Sequence, residues 1–95
     1  MGMKLFFCDQ CQDVVRMVGR WRRCECGKAA GRYVDTVLAQ VTGTAIPLGF
    51  DNREFVNALH SHRRLQLTEN FRAFIIEHPC RTIEQVSMVE VKDEQ

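Results

Sequence analysis

Five cysteines lie in this 95-residue chain, and four of them, Cys8, Cys11, Cys24 and Cys26, fall within its first 26 positions. They form a Cys-x-x-Cys pair, twelve intervening residues, then a Cys-x-Cys pair followed by Gly27. Two short cysteine pairs brought together by a returning chain supply the four soft ligands of tetrahedral zinc, with sulfur about 2.3 Å from the ion. A disulfide framework fits less well. The cysteine count is odd, a bridge between Cys24 and Cys26 would close a strained ring, and the opening Met1-Gly-Met-Lys-Leu-Phe-Phe-Cys8 turns polar at Asp9, too soon for an export signal. The expectation is a reduced, cytoplasmic protein. Four thiolates leave no open coordination position for water or substrate, so one structural Zn²⁺ is expected rather than a catalytic one. Their formal surplus of negative charge needs N–H···S bonds and cations, and Arg22, Arg23 and Lys28 are near enough in sequence to help. The second pair is one residue shorter than usual. Gly27 can supply the positive φ such a turn requires, whereas Gln12 after the first pair offers no comparable freedom.

The elements that must position these thiols follow from patterning. The run Asp13-Val-Val-Arg-Met-Val-Gly-Arg-Trp-Arg-Arg23 carries apolar residues on both sides of Gly19 and predicts a hairpin between the two cysteine pairs. Three short strands are expected over 31–35, 37–42 and 45–50, rich in β-branched and aromatic residues, with Pro47 confining the last to an edge or a late start. Asp51 followed by Glu54, with Phe55, Val56 and Leu59 at helical spacing, predicts one helix over about Asn52 to Arg64. Residues 70–77 fit either a helix begun at Thr68 or a strand. The break at His78-Pro79 and the period-two run Thr82 to Val91 favour a closing β-hairpin, with a frayed tail over 92–95. The fold class is therefore α+β: a β-rich small domain with an N-terminal cysteine-built ribbon over 1–35, a central helix and a C-terminal β-hairpin. Ninety-five residues suffice for a single domain, 1–95, with 36–95 as its second subregion. No apolar run approaches a membrane span, so no membrane role is expected.

At Cys8-Asp-Gln-Cys11 and Cys24-Glu-Cys-Gly27 the sequence resembles the zinc-ribbon group. The strings Trp21-Arg-Arg-Cys-Glu-Cys-Gly27, Gly31-Arg-Tyr-Val-Asp35 and Leu48-Gly-Phe-Asp-Asn-Arg-Glu-Phe55 resemble small zinc-ribbon-type proteins of bacteria and their phages. The first resemblance covers residues 4 to 35 and implies metal binding without implying a task. Ribbons of this group include both nucleic-acid contacts and plain structural clips.

The residues that bear on function beyond the metal are Arg16, Arg20, Trp21, Arg22, Arg23 and Arg32. Arginine pairs with phosphate, and an exposed indole stacks on an unpaired base. Residues 1–35 carry seven Lys/Arg against four Asp/Glu, a formal +3, which zinc with four thiolates reduces to about +1. So weak a field disfavours tight non-specific duplex binding but leaves room for a local arginine stripe on a basic hairpin. The alternative is a solvated strand face with Trp21 in the core. His60, His62, His78 and Cys80 invite a second metal site or a thiol nucleophile. Neither is favoured, because positions 60 and 62 point far apart on a helix and no orienting acid is evident. No phosphate loop, serine elbow or carboxylate pair appears, so an enzyme is not expected. The expected partner is nucleic acid or a nucleic-acid-processing complex. The alternative is a protein partner bound by an adaptor or inhibitor, for which six Phe, four Met and an open terminal strand also allow a homo-oligomer.

Overall fold

In the computed structural model, which describes residues 3–88 and 91, the chain forms eight strands and one helix among the described residues. Strands β1 (Lys4–Cys8) and β2 (Val14–Arg16) pair antiparallel around the first cysteine turn. Strands β3 (Arg22–Arg23) and β4 (Ala29–Tyr33) pair antiparallel around the second. Then follow β5 (Ala39–Gly43), β6 (Ala45–Phe50), α1 (Asn52–Leu65), β7 (Ala73–Ile75) and β8 (Ile83–Gln85). They build two four-stranded sheets, β2-β1-β6-β7 and β3-β4-β5-β8. The α+β class, the single helix and the three central strands agree with the sequence reading.

Two expectations are corrected. The segment 13–23 is not a hairpin about Gly19: β2 returns onto β1 and β3 pairs with β4, so the two halves enter different sheets. Each cysteine turn is itself a hairpin turn, and pairing across so short a loop wins over pairing across Gly19. Nor do the last strands form a hairpin. Residues 73–75 are a strand, as favoured, but β7 adds antiparallel to β6 while β8 adds parallel to β5 in the other sheet. The far end of the predicted hairpin, at 89–90, and the tail 92–95 lie outside the described residues.

The sheets share one hydrophobic cluster. Phe6, Cys8, Val15 and Met17 come from β1, β2 and the residue after it; Ala29, Ala39, Val41 and Ile83 come from the other sheet. The Ala29-Ala30-Gly31 stretch of β4 carries almost no side-chain bulk, which lets Phe6 and Met17 reach its backbone. A Cβ on Gly31 would lie 2.8 Å from Met17 Sδ and 3.0 Å from Phe6 Cδ2. The chain crosses between sheets at Gly43-Thr44, where Gly43 has φ +69° and a Cβ would collide with the Lys28 carbonyl.

Helix α1 is differently held. Asp51 caps it by accepting the Glu54 N–H at 3.0 Å, and left-handed Gln66 ends it by donating to the His62 carbonyl at 2.7 Å. No residue of the helix is buried. Its docking rests on Phe55, whose ring lies 5.8 Å from that of Phe50 and 4.8 Å from that of Phe71.

Candidate metal centre

The two cysteine turns are near copies. In the first, the Cys8 amide donates to the Asp13 carbonyl at 3.0 Å and Gln12 N–H closes back on the Cys8 carbonyl at 2.7 Å. In the second, the Cys24 amide donates to Ala29 at 3.0 Å and Gly27 N–H closes back on Cys24 at 3.1 Å. The residue after the second cysteine of each pair is left-handed, Gln12 at φ 62° and Gly27 at φ 78°. The one-residue shortening of the second pair thus appears as a shorter loop, closed from three residues along instead of four. Gln12 adopts without glycine the conformation that was expected to need one, at a cost of about 1–2 kcal/mol. Asp13 joins the turns by accepting the Glu25 N–H at 2.9 Å.

These turns bring the four Sγ atoms within 4.8 Å of one another, with Cys8 to Cys26 at 3.7 Å and Cys24 to Cys26 at 3.5 Å. A disulfide would need about 2.05 Å. The edge of a tetrahedron of sulfurs about 2.3 Å from a central ion is about 3.8 Å, so the donor set fits a metal ion. Cys8 and Cys24 are buried and belong to the core cluster, Cys11 is half-buried and Cys26 is exposed.

Local hydrogen bonds distribute the negative charge unevenly. The Thr44 hydroxyl, 3.2 Å from Cys8 Sγ, is the main reason that thiol is lowered to about 6; burial opposes the shift, and the amides of Cys11 and Gln10 add to it. Burial works against ionisation of Cys24, but the Ala29 amide and the Cys26 thiol bring it below its ordinary value. At Cys26 the Lys28 amide pulls downward, yet burial and the neighbouring cysteines outweigh it and push the thiol up to about 12. Backbone amides therefore supply much of the compensation expected of cations. Arg23 reaches the Gly27 carbonyl at 3.2 Å and Arg22 the Arg16 carbonyl at 3.0 Å. Thr44 went unnoticed in the sequence, where Gly43-Thr44 is only a strand break and nothing marks its hydroxyl as a sulfur partner.

The six residues read as a nucleic-acid surface do not stay together. Arg16, Arg20, Arg22 and Arg23 are exposed. Trp21 is buried at 5% exposure, with the Arg32 guanidinium 4.8 Å from its ring centroid. Arg32 also donates to Gln40 at 3.0 Å, and Gln40 to Glu84 at 2.7 Å, so a polar chain fixes it across β4, β5 and β8. Trp21 is thus a core residue with a cationic cover and offers no free face to a base. Among the described residues, His60, His62, His78 and Cys80 form no metal-holding group. His62 Nδ1 meets the Leu67 carbonyl at 2.6 Å, and Cys80 Sγ meets the Thr82 hydroxyl at 3.3 Å while packing against the core.

The chain matches no protein-family model, no curated protein and no solved structure.

Proposed function

We propose that the chain is a zinc-ribbon-type module in which one structural Zn²⁺, held by Cys8, Cys11, Cys24 and Cys26, fixes an arginine-bearing surface for contact with nucleic acid or a complex that processes it. The observation that carries the reading is the four-sulfur cluster, whose 3.5 Å and 3.7 Å separations approach the edge of a zinc tetrathiolate. With every coordination position occupied by thiolate, the ion supplies folding energy and no Lewis-acid chemistry, so the module is not an enzyme. Four unbridged thiols suit the reducing cytoplasm. The proposed contact surface is the exposed set Arg16, Arg20, Arg22 and Arg23.

Native mass spectrometry should find one zinc per chain, and its loss on Cys24→Ser. Iron, or no metal at all, would overturn the metal assignment. Anisotropy titrations with single- and double-stranded DNA and RNA at about 50 mM salt should show binding that weakens as salt rises. Absence of binding to all four would remove the nucleic-acid reading.

A second reading, a protein-binding adaptor, is favoured by one specific feature. Strand β7 ends the first sheet and leaves Phe74 47% and Ile75 70% exposed, beside Phe71 at 37%. Such an edge accepts a strand from a partner or from a second copy. Stoichiometric recovery of one protein from host lysate, insensitive to nuclease, would select it.

A further inference from the structure

The four sulfurs of the cysteine set differ in what surrounds them. Cys8 has no exposure and Cys24 is 5% exposed, Cys11 is half-buried, and Cys26 stands open to solvent. Hydrogen-bond donors are shared out as unevenly. Cys8 accepts from the Thr44 hydroxyl at 3.2 Å and from the amides of Gln10 and Cys11, and Cys24 accepts from the Ala29 amide, whereas Cys26, in the shortened turn, is served by the Lys28 amide. Hydrogen bonds to a coordinating thiolate draw off the electron density that makes it a nucleophile, and burial denies an oxidant access to it. Cys26 is thus both reachable and lightly bonded. A second sulfur is already close: Cys8, on the other turn, is 3.7 Å away, and the Asp13 carboxylate holds the two turns together by accepting the Glu25 N–H.

We propose that Cys26 is a site of modification by hydrogen peroxide and that Cys8 is the thiol that resolves it, so that oxidation replaces the metal set with a covalent link between the same two turns. The inference rests on the metal reading above and adds a reversible chemistry to it. The Cys26 thiolate attacks one peroxide oxygen: a sulfur–oxygen bond forms, the oxygen–oxygen bond breaks, and a sulfenic acid and one hydroxide result. The Cys8 thiolate then attacks the sulfenyl sulfur and expels a second hydroxide, leaving a Cys8–Cys26 disulfide. Two protons turn the hydroxides into water; the sulfurs have lost two electrons and the peroxide oxygens have gained them. Closing 3.7 Å to about 2.05 Å brings the sulfurs together by about 1.7 Å. Cys24 is nearer to Cys26, at 3.5 Å, but a single residue separates the two, so their bridge would close a strained ring. With Cys8 and Cys26 consumed, Cys11 and Cys24 are left as a two-sulfur set too small to retain the ion. A dithiol reductant restores all four thiols. Cys80 stands apart from this chemistry, since its sulfur lies outside the metal set, meets the Thr82 hydroxyl at 3.3 Å and packs against the core.

The test treats the full zinc-loaded chain, its zinc content fixed beforehand by native mass spectrometry, with hydrogen peroxide. Freed zinc is followed with a colorimetric chelator, and the cysteines are mapped by mass spectrometry after alkylation without reduction. Zinc should be freed in proportion to the peroxide consumed. A cross-link should join the tryptic peptides Leu5–Arg16 and Cys24–Lys28, and fragmentation should assign it to Cys8 and Cys26. Dimedone present during oxidation should tag Cys26 ahead of the other four cysteines, and dithiothreitol with added zinc should return the loaded chain. Cys26→His keeps a nitrogen ligand and should release zinc to peroxide about tenfold or more slowly. The mapping on the unsubstituted chain decides the matter even where that variant fails to fold. If the zinc-loaded chain is tagged first at Cys80, Cys11 or Cys24, or bridges Cys26 to Cys11, the inference fails and the metal reading stands. Zinc freed without any disulfide overturns it too. A chain that carries no zinc removes the metal reading and this inference together.

Discussion

The cysteine end and the helix end of this molecule solve the problem of order in opposite ways. Register places them at the two ends of one strand pair, since Cys8 of β1 faces Ala45 and Lys4 faces Gly49, the residue just before Phe50 and the cap of α1. At the cysteine end the strands are too short to persist alone: β2 has three residues and β3 two. They are organised by two matched turns, by Asp13 bridging them, and by buried sulfurs that belong at once to the metal set and to the core. At the helix end, fourteen residues form a helix that is marginal by itself, and two caps and a cluster of three rings complete what local propensity begins. The contrast teaches that burial follows need. The short strands are sunk into the core, and the helix, capped at both ends and docked through three rings, is left outside.

Removing the metal should produce the largest effect and break the comparison most sharply. Apparent zinc-binding energies of about 10–16 kcal/mol in small zinc peptides match or exceed the whole stability of a domain this size. A chelator, or Cys24→Ser, should abolish the cooperative thermal transition, because Cys8 and Cys24 lie within the cluster that joins the sheets. Acid should do the same in order. Binding metal displaces protons, above all from Cys26, whose thiol in the metal-free chain is pushed up to about 12, so metal affinity rises with pH and falls as protons return. An unchanged melting curve after chelation would show that the sheets stand without the ion.

Both ends were legible, for local reasons. Cysteine spacing encodes a ligand set directly, and Gly27 announces its left-handed turn. The helix was equally plain from Asp51, Glu54 and the apolar spacing that follows. Pairing partners were not legible. Gly19 between two apolar runs has every mark of a hairpin turn, yet each flank found a closer partner through its own cysteine turn. The alternation after Thr82 identifies a strand but not its neighbour, and β8 joins β5 in parallel, a pairing that leaves no turn in the sequence to read. Trp21 beside three arginines fitted either an exposed platform or a core residue under a solvated arginine face, and the structure bears out the second; sequence adjacency cannot reveal that Arg32, from the next strand, lies on its ring.

A smaller perturbation tests whether the core is as tightly built as the contacts imply. Gly31→Val would put methyl groups where Met17 Sδ and Phe6 already stand within about 3 Å of a Cβ. Overpacking of this kind costs about 1–3 kcal/mol, moderated by the pliancy of methionine. The denaturant midpoint should fall with the slope unchanged, and metal content should remain at its original value. Phe71→Ala is the counterpart at the other end and should cost less, about 1–2 kcal/mol, because the ring is 37% exposed and stacks on two others. Its effect should be local. Amide exchange in α1 should accelerate while β1, β4 and β5 keep their protection; acceleration throughout would mean that helix and core unfold as one unit.

The smallest expected effect isolates the helix cap. Asp51 accepts the Glu54 N–H, and that amide, working against some burial, holds its carboxyl below the ordinary 3.8, with Arg72 contributing a weaker pull. A carboxyl lowered in the folded state adds stability that is fully present above its unfolded value and is lost as pH falls through the folded one, so the cap should weaken only below about pH 4. The Glu54 amide chemical shift should follow that titration directly, with a midpoint under 3.8. Asp51→Asn keeps the acceptor and should preserve helix protection while erasing the titration, whereas Asp51→Ala should speed exchange across the first turn at every pH. Neither change should reach the Ala29 carbonyl that closes the second cysteine turn. If the alanine variant loosened that turn as well, the independence of the two ends would be lost, and the core between them would have to carry strain from one to the other.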